Sequence, residues 1–101
     1  MYKNADINKK ANVYHDGRVT SRSITTAEGE SKTLGIMLPG SYNFGTGAPE
    51  VMEITAGRCR VRLQGENDWQ EYAAGESFEV PGNSRFDIEV TELLDYVCHF
   101  G

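Results

Sequence analysis

The sequence predicts an all-β fold, and three features of it point there. Its 11 glycines and 3 prolines fall at short intervals, so no window is long enough for a substantial helix. Between these breaks the apolar residues recur at every second position, the period of a half-buried strand. Turn signals separate many short strands at regular spacing, the pattern of a β-sandwich or small barrel.

The N-terminal stretch 1–12 is a polar lead. Within and just beyond it, 6–13 is the best helical candidate, about two turns with Asp6 as its N-cap. Strands are then expected at 18–26, 32–38, 42–46, 50–55, 58–64, 69–72, 77–80, 85–90 and 95–100. The breaks are Ala27-Glu28-Gly29, Pro39-Gly40, Gly47-Ala48-Pro49, Ala56-Gly57, Gly65-Glu66-Asn67-Asp68, Ala74-Gly75 and Pro81-Gly82-Asn83, all rich in residues that favour turns. At 101 residues the chain is expected to form a single domain, 1–101.

Composition excludes several classes. A hydrophobic content of 39% with 10% aromatics is enough for one core and too much for a disordered chain. No segment approaches the length of a membrane span, and the polar lead has no secretory apolar run, so no membrane partner is expected. With 15 acidic against 10 basic residues and a net charge of −5, nucleic acid is not an expected partner, because its binding rests on phosphate neutralisation. Cys59 and Cys98 are too few for a disulfide scaffold, so a reduced cytoplasmic setting is expected, with both thiols as small buried apolar groups.

Strand parity then sorts the side chains. Cys59, Val61 and Leu63 share one face, with Arg58, Arg60 and Arg62 on the other, where Glu53, Glu71 and Glu79 on neighbouring strands are expected to pair with them. Tyr42, Phe44 and Thr46 fall together, as do Ser84, Phe86, Ile88 and Val90, and likewise Tyr96, Cys98 and Phe100. The row Glu50, Met52, Ile54 carries a carboxylate among inward-facing apolar groups, which demands a partner or a raised pKa. His15 and His99 lie far apart and have no ligand partner at close spacing, so surface or structural roles are expected for both. No GxxxxGK[ST], GxGxxG or GxSxG motif is present.

Two segments are less generic. Gly40-Ser41-Tyr42-Asn43-Phe44-Gly45-Thr46-Gly47-Ala48-Pro49-Glu50 leads through six residues to Gly57, and Gly75 leads through five residues to Pro81-Gly82. These resemble the two motifs of the cupin superfamily, which implies a cupin-type jelly-roll β-barrel or sandwich. Glu50 matches that superfamily's glutamate ligand, but Phe44 and Thr46 (or, in the other register, Thr46 and Ala48) stand at its histidine positions, and Phe86 stands at the last one. No bound metal is therefore expected.

A closer resemblance runs from Asn12 to Phe100. It rests on Asn12-x-Tyr14-x-x-Gly17-Arg18-Val19-x-Ser21, Gly35-x-Met37-x-Pro39-Gly40-x-Tyr42-x-Phe44-x-Thr46, Pro49-Glu50-x-Met52, Trp69-x-x-Tyr72-x-x-Gly75, Phe78-x-Val80-Pro81, Ser84-x-Phe86 and Tyr96-x-Cys98. The whole is similar to the small bacterial cupins of the pyrimidine/purine nucleoside phosphorylase family. The resemblance implies a cytoplasmic homodimer that cleaves nucleosides with inorganic phosphate to free base and α-D-ribose 1-phosphate, with phosphate as co-substrate and no cofactor. Parity and the needs of that chemistry assign Glu50 as catalytic carboxylate and Phe44 and Phe86 as stacking surfaces. Thr46 and Ser84 are expected to bind substrate, and Arg18 or Arg85 to bind phosphate. The alternative is a non-catalytic cupin that binds a small metabolite.

Overall fold

Two long strands organise the molecule, and each spans a stretch that parity alone divides in two. The computed structural model describes residues 1–100. It contains β1 (Asp6–Ile7), β2 (Asn12–Tyr14), a single 3-10 turn at His15–Gly17, β3 (Val19–Thr25), β4 (Ser31–Met37), β5 (Gly40–Gly45), β6 (Glu50–Leu63), β7 (Gln70–Ala73), β8 (Ser77–Val80) and β9 (Arg85–Phe100). Strands β6 and β9 run antiparallel to each other along most of their length, from Glu50↔Phe100 to Leu63↔Phe86. Midway the pairing slips between Ile54 and Cys59, and there both strands bend.

Gly57 makes the bend possible. Its φ of +93° suits glycine, and a Cβ at this position would lie 2.1 Å from the Leu93 carbonyl oxygen. The sheet thereby folds into two leaves that share β6 and β9. The larger leaf reads β1 and β2 on β3, then β4, the C-terminal half of β9, the N-terminal half of β6, and β8. The smaller leaf reads β5, the N-terminal half of β9, the C-terminal half of β6, and β7. This is the jelly-roll arrangement expected, with antiparallel pairing throughout.

The core lies between the leaves and is built by residues parity assigned there, joined by Leu94, which lies between two expected strands. Val61, Ile88, Val90 and Cys59 from the smaller leaf face Ile54, Met52, Leu94 and Cys98 from the larger one, all buried. Both cysteines are free and buried, as expected. Burial pushes the Cys59 thiol up to about 11.

Residues 6–13 form no helix. They contribute β1 and β2, which pair with β3 through Asp6↔Thr25 and Ile7↔Ile24, then Asn12↔Ser21 and Val13↔Thr20. A two-turn helix is too short to stabilise itself. The free edge of β3 instead offers backbone partners for the segment. His15 and Asp16 both have positive φ, at 51° and 56°. The His15 ring packs against Tyr42 and Phe44, at centroid distances of 5.0 and 5.2 Å, and so helps close the seam between β2 and β5. His99 faces outward, where its Nδ1 accepts from the Lys32 amine (2.7 Å) and its Nε2 donates to Glu53 (2.9 Å).

The arginine row also faces outward, with different partners from those expected. Arg60 makes a two-pronged contact with Glu89 (2.8 and 3.0 Å) and Arg62 bonds Asp87 at 3.0 Å. These are the residues directly opposite on β9, whereas Glu53 and Glu79 belong to the other leaf. Hydrogen bonds from Asn43 and Arg62 hold the Asp87 carboxyl below its ordinary range. Trp69 lies against the guanidinium groups of Arg60 and Arg62, which sit 4.6 and 4.8 Å from its ring centre. No helix among the described residues is long and apolar enough to cross a membrane.

Candidate active site

Between the mouths of the two leaves lies a cavity of about 220 Å³, so the core does not fill the roll. Tyr14, Phe44, Phe86 and Phe100 form aromatic walls around it, and Met37, Met52 and Val19 lie deeper. Its polar surface is Ser21, Thr33, Glu50, Tyr96 and Cys98, all on the inner face of the larger leaf. Glu50 and Phe100 also line a wider hollow of about 460 Å³ at the rim, with Pro49, Pro81, Leu63 and His99. Glu50 therefore sits where the inner cavity meets the outside.

Phe44 and Phe86 are directly opposite on β5 and β9, with ring centres 5.8 Å apart. Tyr14 meets the Phe44 ring edge-on at 6.4 Å. Phe86 is buried and Phe44 half-buried, so Phe44 presents the more accessible ring.

The polar residues of the floor fall into two sets. In the first, the Asn12 amide donates to both Ser21 and Ser23 at 3.1 Å, and Tyr96 reaches across Gly35 toward Ser21. Gly35 permits this arrangement. A Cβ there would lie 2.6 Å from the Tyr96 hydroxyl, so only glycine lets the ring lie across β4 toward Ser21. Burial, the largest cause, raises the Tyr96 pKa far above its ordinary value. In the second set Cys98 stands directly opposite Thr33 on β4, with Glu50 diagonal to it on β6, and all three line the cavity. Burial raises the Glu50 pKa, and the neighbouring Cys98 thiol partly reverses that shift. The isolated inward carboxylate thus carries the raised pKa that its position in the sequence implied.

Of the expected site residues, the fold brings together Glu50, Phe44 and Phe86. The others lie outside the cavity wall. Thr46 and Ser84 form a clasp beside it: the Thr46 hydroxyl donates to the Pro81 carbonyl at 2.6 Å and accepts from the Ser84 amide at 3.0 Å. The Ser84 hydroxyl turns toward Gln64. Arg18 is exposed and bonds the Pro39 carbonyl. Arg85 alternates with Phe86 on β9, so it points outward and bonds the Asn43 side chain at 2.6 Å. Among the described residues no lysine or arginine lines the cavity.

Ser21, Thr33, Tyr96 and Cys98 were not singled out as site residues from the sequence. A signal was present: each shares inner-face parity with core residues of its own strand. Polar groups at core parity are the residues to ask about.

The donors around Glu50 are a thiol and hydroxyls, with no imidazole. No group of three or more histidine, cysteine, aspartate or glutamate residues suited to a metal occurs among the described residues. Burial, with the Glu50 charge next, pushes the Cys98 thiol up to about 12, so it is not a ready thiolate ligand. This donor set does not fit the transition metals of the wider superfamily.

Residues 9–100 match the family model for pyrimidine/purine nucleoside phosphorylases. The chain belongs to that family. A pyrimidine/purine nucleoside phosphorylase of Cupriavidus metallidurans is 59% identical, covering all of this chain and 98% of its own. A relative of the same name from Methylobacillus flagellatus is 57% identical over 99% of this chain and 97% of its own. Among solved structures, a protein of unknown function from Acinetobacter superposes with a TM-score of 0.96 at 43% identity, covering 100% of this chain and 98% of that one. The cupin domain of Drosophila melanogaster CENP-C has a TM-score of 0.70 at 13% identity, covering 91% of this chain and 71% of that one. That likeness bears on the cupin fold alone. The matched span includes every polar residue named on the cavity floor, from Asn12 to Cys98.

Proposed function

We propose that this chain is a nucleoside phosphorylase of broad specificity, cleaving purine and pyrimidine nucleosides with inorganic phosphate to free base and α-D-ribose 1-phosphate. The observation that carries the reading is the cavity, where aromatic walls surround one partly desolvated carboxylate, in a chain so similar to relatives bearing that name. In the reaction a phosphate oxygen forms a bond to C1′ while the bond from C1′ to the base nitrogen breaks, its electron pair leaving on the base. Positive charge grows on the sugar ring, and ionised Glu50 stabilises it. Phe44 and Phe86 supply a stacking surface that any base satisfies, which accounts for tolerance of both base classes. Ser21 and Thr33 bind ribose or phosphate oxygens, as neutral donors in a cavity without a cationic wall. The reaction needs no organic cofactor or resident metal.

Incubating the pure protein with inosine or uridine, with and without phosphate, tests this. Base release that requires phosphate and survives a chelator supports the reading. The absence of a cation from the cavity wall favours a second reading, a non-catalytic binder of small metabolites. A nucleoside-induced melting shift with no base release under either condition selects that one.

The outer face of the larger leaf supports a homodimer. Ile7, Val13 and Leu34 are exposed there around an apolar hollow. Arg22 at one side of the face and Asp95 and Glu53 at the other give a two-fold-related copy opposite charges to meet. Light scattering should give a dimer mass for the native protein and a monomer mass for Leu34→Glu. Two free buried thiols support a cytoplasmic location, which cell fractionation would check.

A further inference from the structure

We propose that Tyr14 is a second base-binding residue: its ring turns to face Phe44 and holds the nucleobase of a purine or pyrimidine nucleoside between the two. The inference rests on the proposed binding of nucleosides in the cavity. Tyr14 ends β2, where it pairs with Val19 on β3, and Phe44 lies on β5 opposite Phe86. The two rings thus reach the cavity from opposite leaves, and both line it. Their centres are 6.4 Å apart and their planes nearly perpendicular, at 87°. Successive stacked bases lie about 3.4 Å apart, so two rings flanking one base stand about 7 Å apart. The observed separation is close to that. A turn of one ring, with little translation, makes the pair a slot of base thickness.

Which ring turns follows from the packing. Phe44 is half-buried and hemmed in by the rings of His15 at 5.2 Å, Phe86 at 5.8 Å and Tyr42 at 6.2 Å. Tyr14 is 47% exposed, so its ring has room to move. Its backbone, in contrast, is fixed. His15, Asp16 and Gly17, which follow it, have φ of 51°, 56° and 87°. Such left-handed conformations are costly for histidine and aspartate and persist only where the surroundings enforce them. Here the Arg18 amide donates to the His15 carbonyl at 3.1 Å, and the His15 ring is seated on Tyr42 and Phe44. The strained turn therefore holds Tyr14 at the mouth beside the ring it is to face, and leaves the side chain as the moving part. An aromatic slot reads only π-faces, so the same pair serves one-ring and two-ring bases.

The test compares Tyr14→Ala, Tyr14→Leu and Tyr14→Phe for equilibrium binding of inosine and uridine, measured by calorimetry without phosphate. Thermal melts check that each variant is folded. Tyr14→Ala should weaken binding of both nucleosides about tenfold, the loss of one stacked face. Leucine fills the space without a π-face and should match alanine, whereas phenylalanine should return the affinity toward wild type. In the wild-type protein the ring-proton NMR signals of Tyr14, assigned by their loss in Tyr14→Phe, should move upfield as inosine is added, because a stacked base shields them. If Tyr14 only plugs the mouth, removing it leaves the affinity unchanged or raises it, and that result overturns the proposal. So do Tyr14 signals that stay in place at saturating inosine, a leucine variant equal to wild type, or a wild-type chain that binds neither nucleoside. Nucleoside binding without phosphate-dependent base release would instead refute the proposed reaction, and the Tyr14 comparison would still decide the role of that ring.

Discussion

Replacing Gly35 with alanine should damage both stability and the cavity floor, and the size of the effect can be worked from distances. The added methyl would lie 2.4 Å from the Thr20 carbonyl oxygen and 2.6 Å from both Cζ and the hydroxyl of Tyr96. The ring can swing away, but Thr20 belongs to the paired backbone of β3, where Thr20 and Ser21 face Ile36 and Gly35. Overpacking of this kind costs about 1–3 kcal/mol. That cost corresponds to a fall in Tm of at least about 4 °C for a domain of this size. Thermal melts followed by circular dichroism measure it. Combining Gly35→Ala with Tyr96→Ala separates the two collisions, because removing the ring relieves its own clash and leaves the one with Thr20 in place. A Gly35→Ala protein melting within about 2 °C of wild type would show that β3 and β4 are not held as closely as described.

Further outcomes follow from the same geometry. Glu50→Gln should lower kcat/KM by about a hundredfold or more with little change in nucleoside KM, since the charge acts on the transition state; steady-state kinetics on inosine and uridine measure this. The same variant should be more stable than wild type near neutral pH. Burial raises the folded-state pKa of Glu50, so the relative stability of the neutral form is present below the ordinary glutamate range and lost as pH rises through the folded value. The difference in Tm should therefore close as the melts are taken to acid pH. Phe44→Ala should raise KM for purine and pyrimidine nucleosides alike by about tenfold, the loss of one stacking surface, and an effect confined to one base class would contradict stacking. Arg18→Ala and Arg85→Ala should each leave the phosphate KM within about twofold, as neither side chain lines the cavity; a large rise in either would give that arginine a role in binding phosphate.

Much of the roll was legible because alternation is a local property. The inward rows at Met52 and Ile54, at Phe86 and Ile88, and at Tyr96 and Cys98 are buried as parity required. Glu50 stood out for the same reason. The joins at Gly57 and around Leu93 were not legible, because a turn signal and a sharp bend within one strand use the same residues. The segment 6–13 went to the sheet because tertiary pairing on β3 outweighs a short stretch's own preference. Arg85 illustrates a rule left unused: parity that turns Phe86 inward turns its neighbour out. The gathering of Thr33, Cys98 and Glu50 on one cavity wall depends on which residues stand opposite one another across three strands, and that register comes from the fold as a whole.

Trp69 is the chain's single tryptophan, and its seat against two guanidinium groups on the outer surface of the smaller leaf decides what its emission reports. The indole is not part of the cavity lining, so filling the cavity leaves its fluorescence nearly unchanged. Melting the sheet frees it from both arginines at once. Intrinsic fluorescence is therefore an optical gauge of unfolding in this protein, undisturbed by whatever occupies the roll.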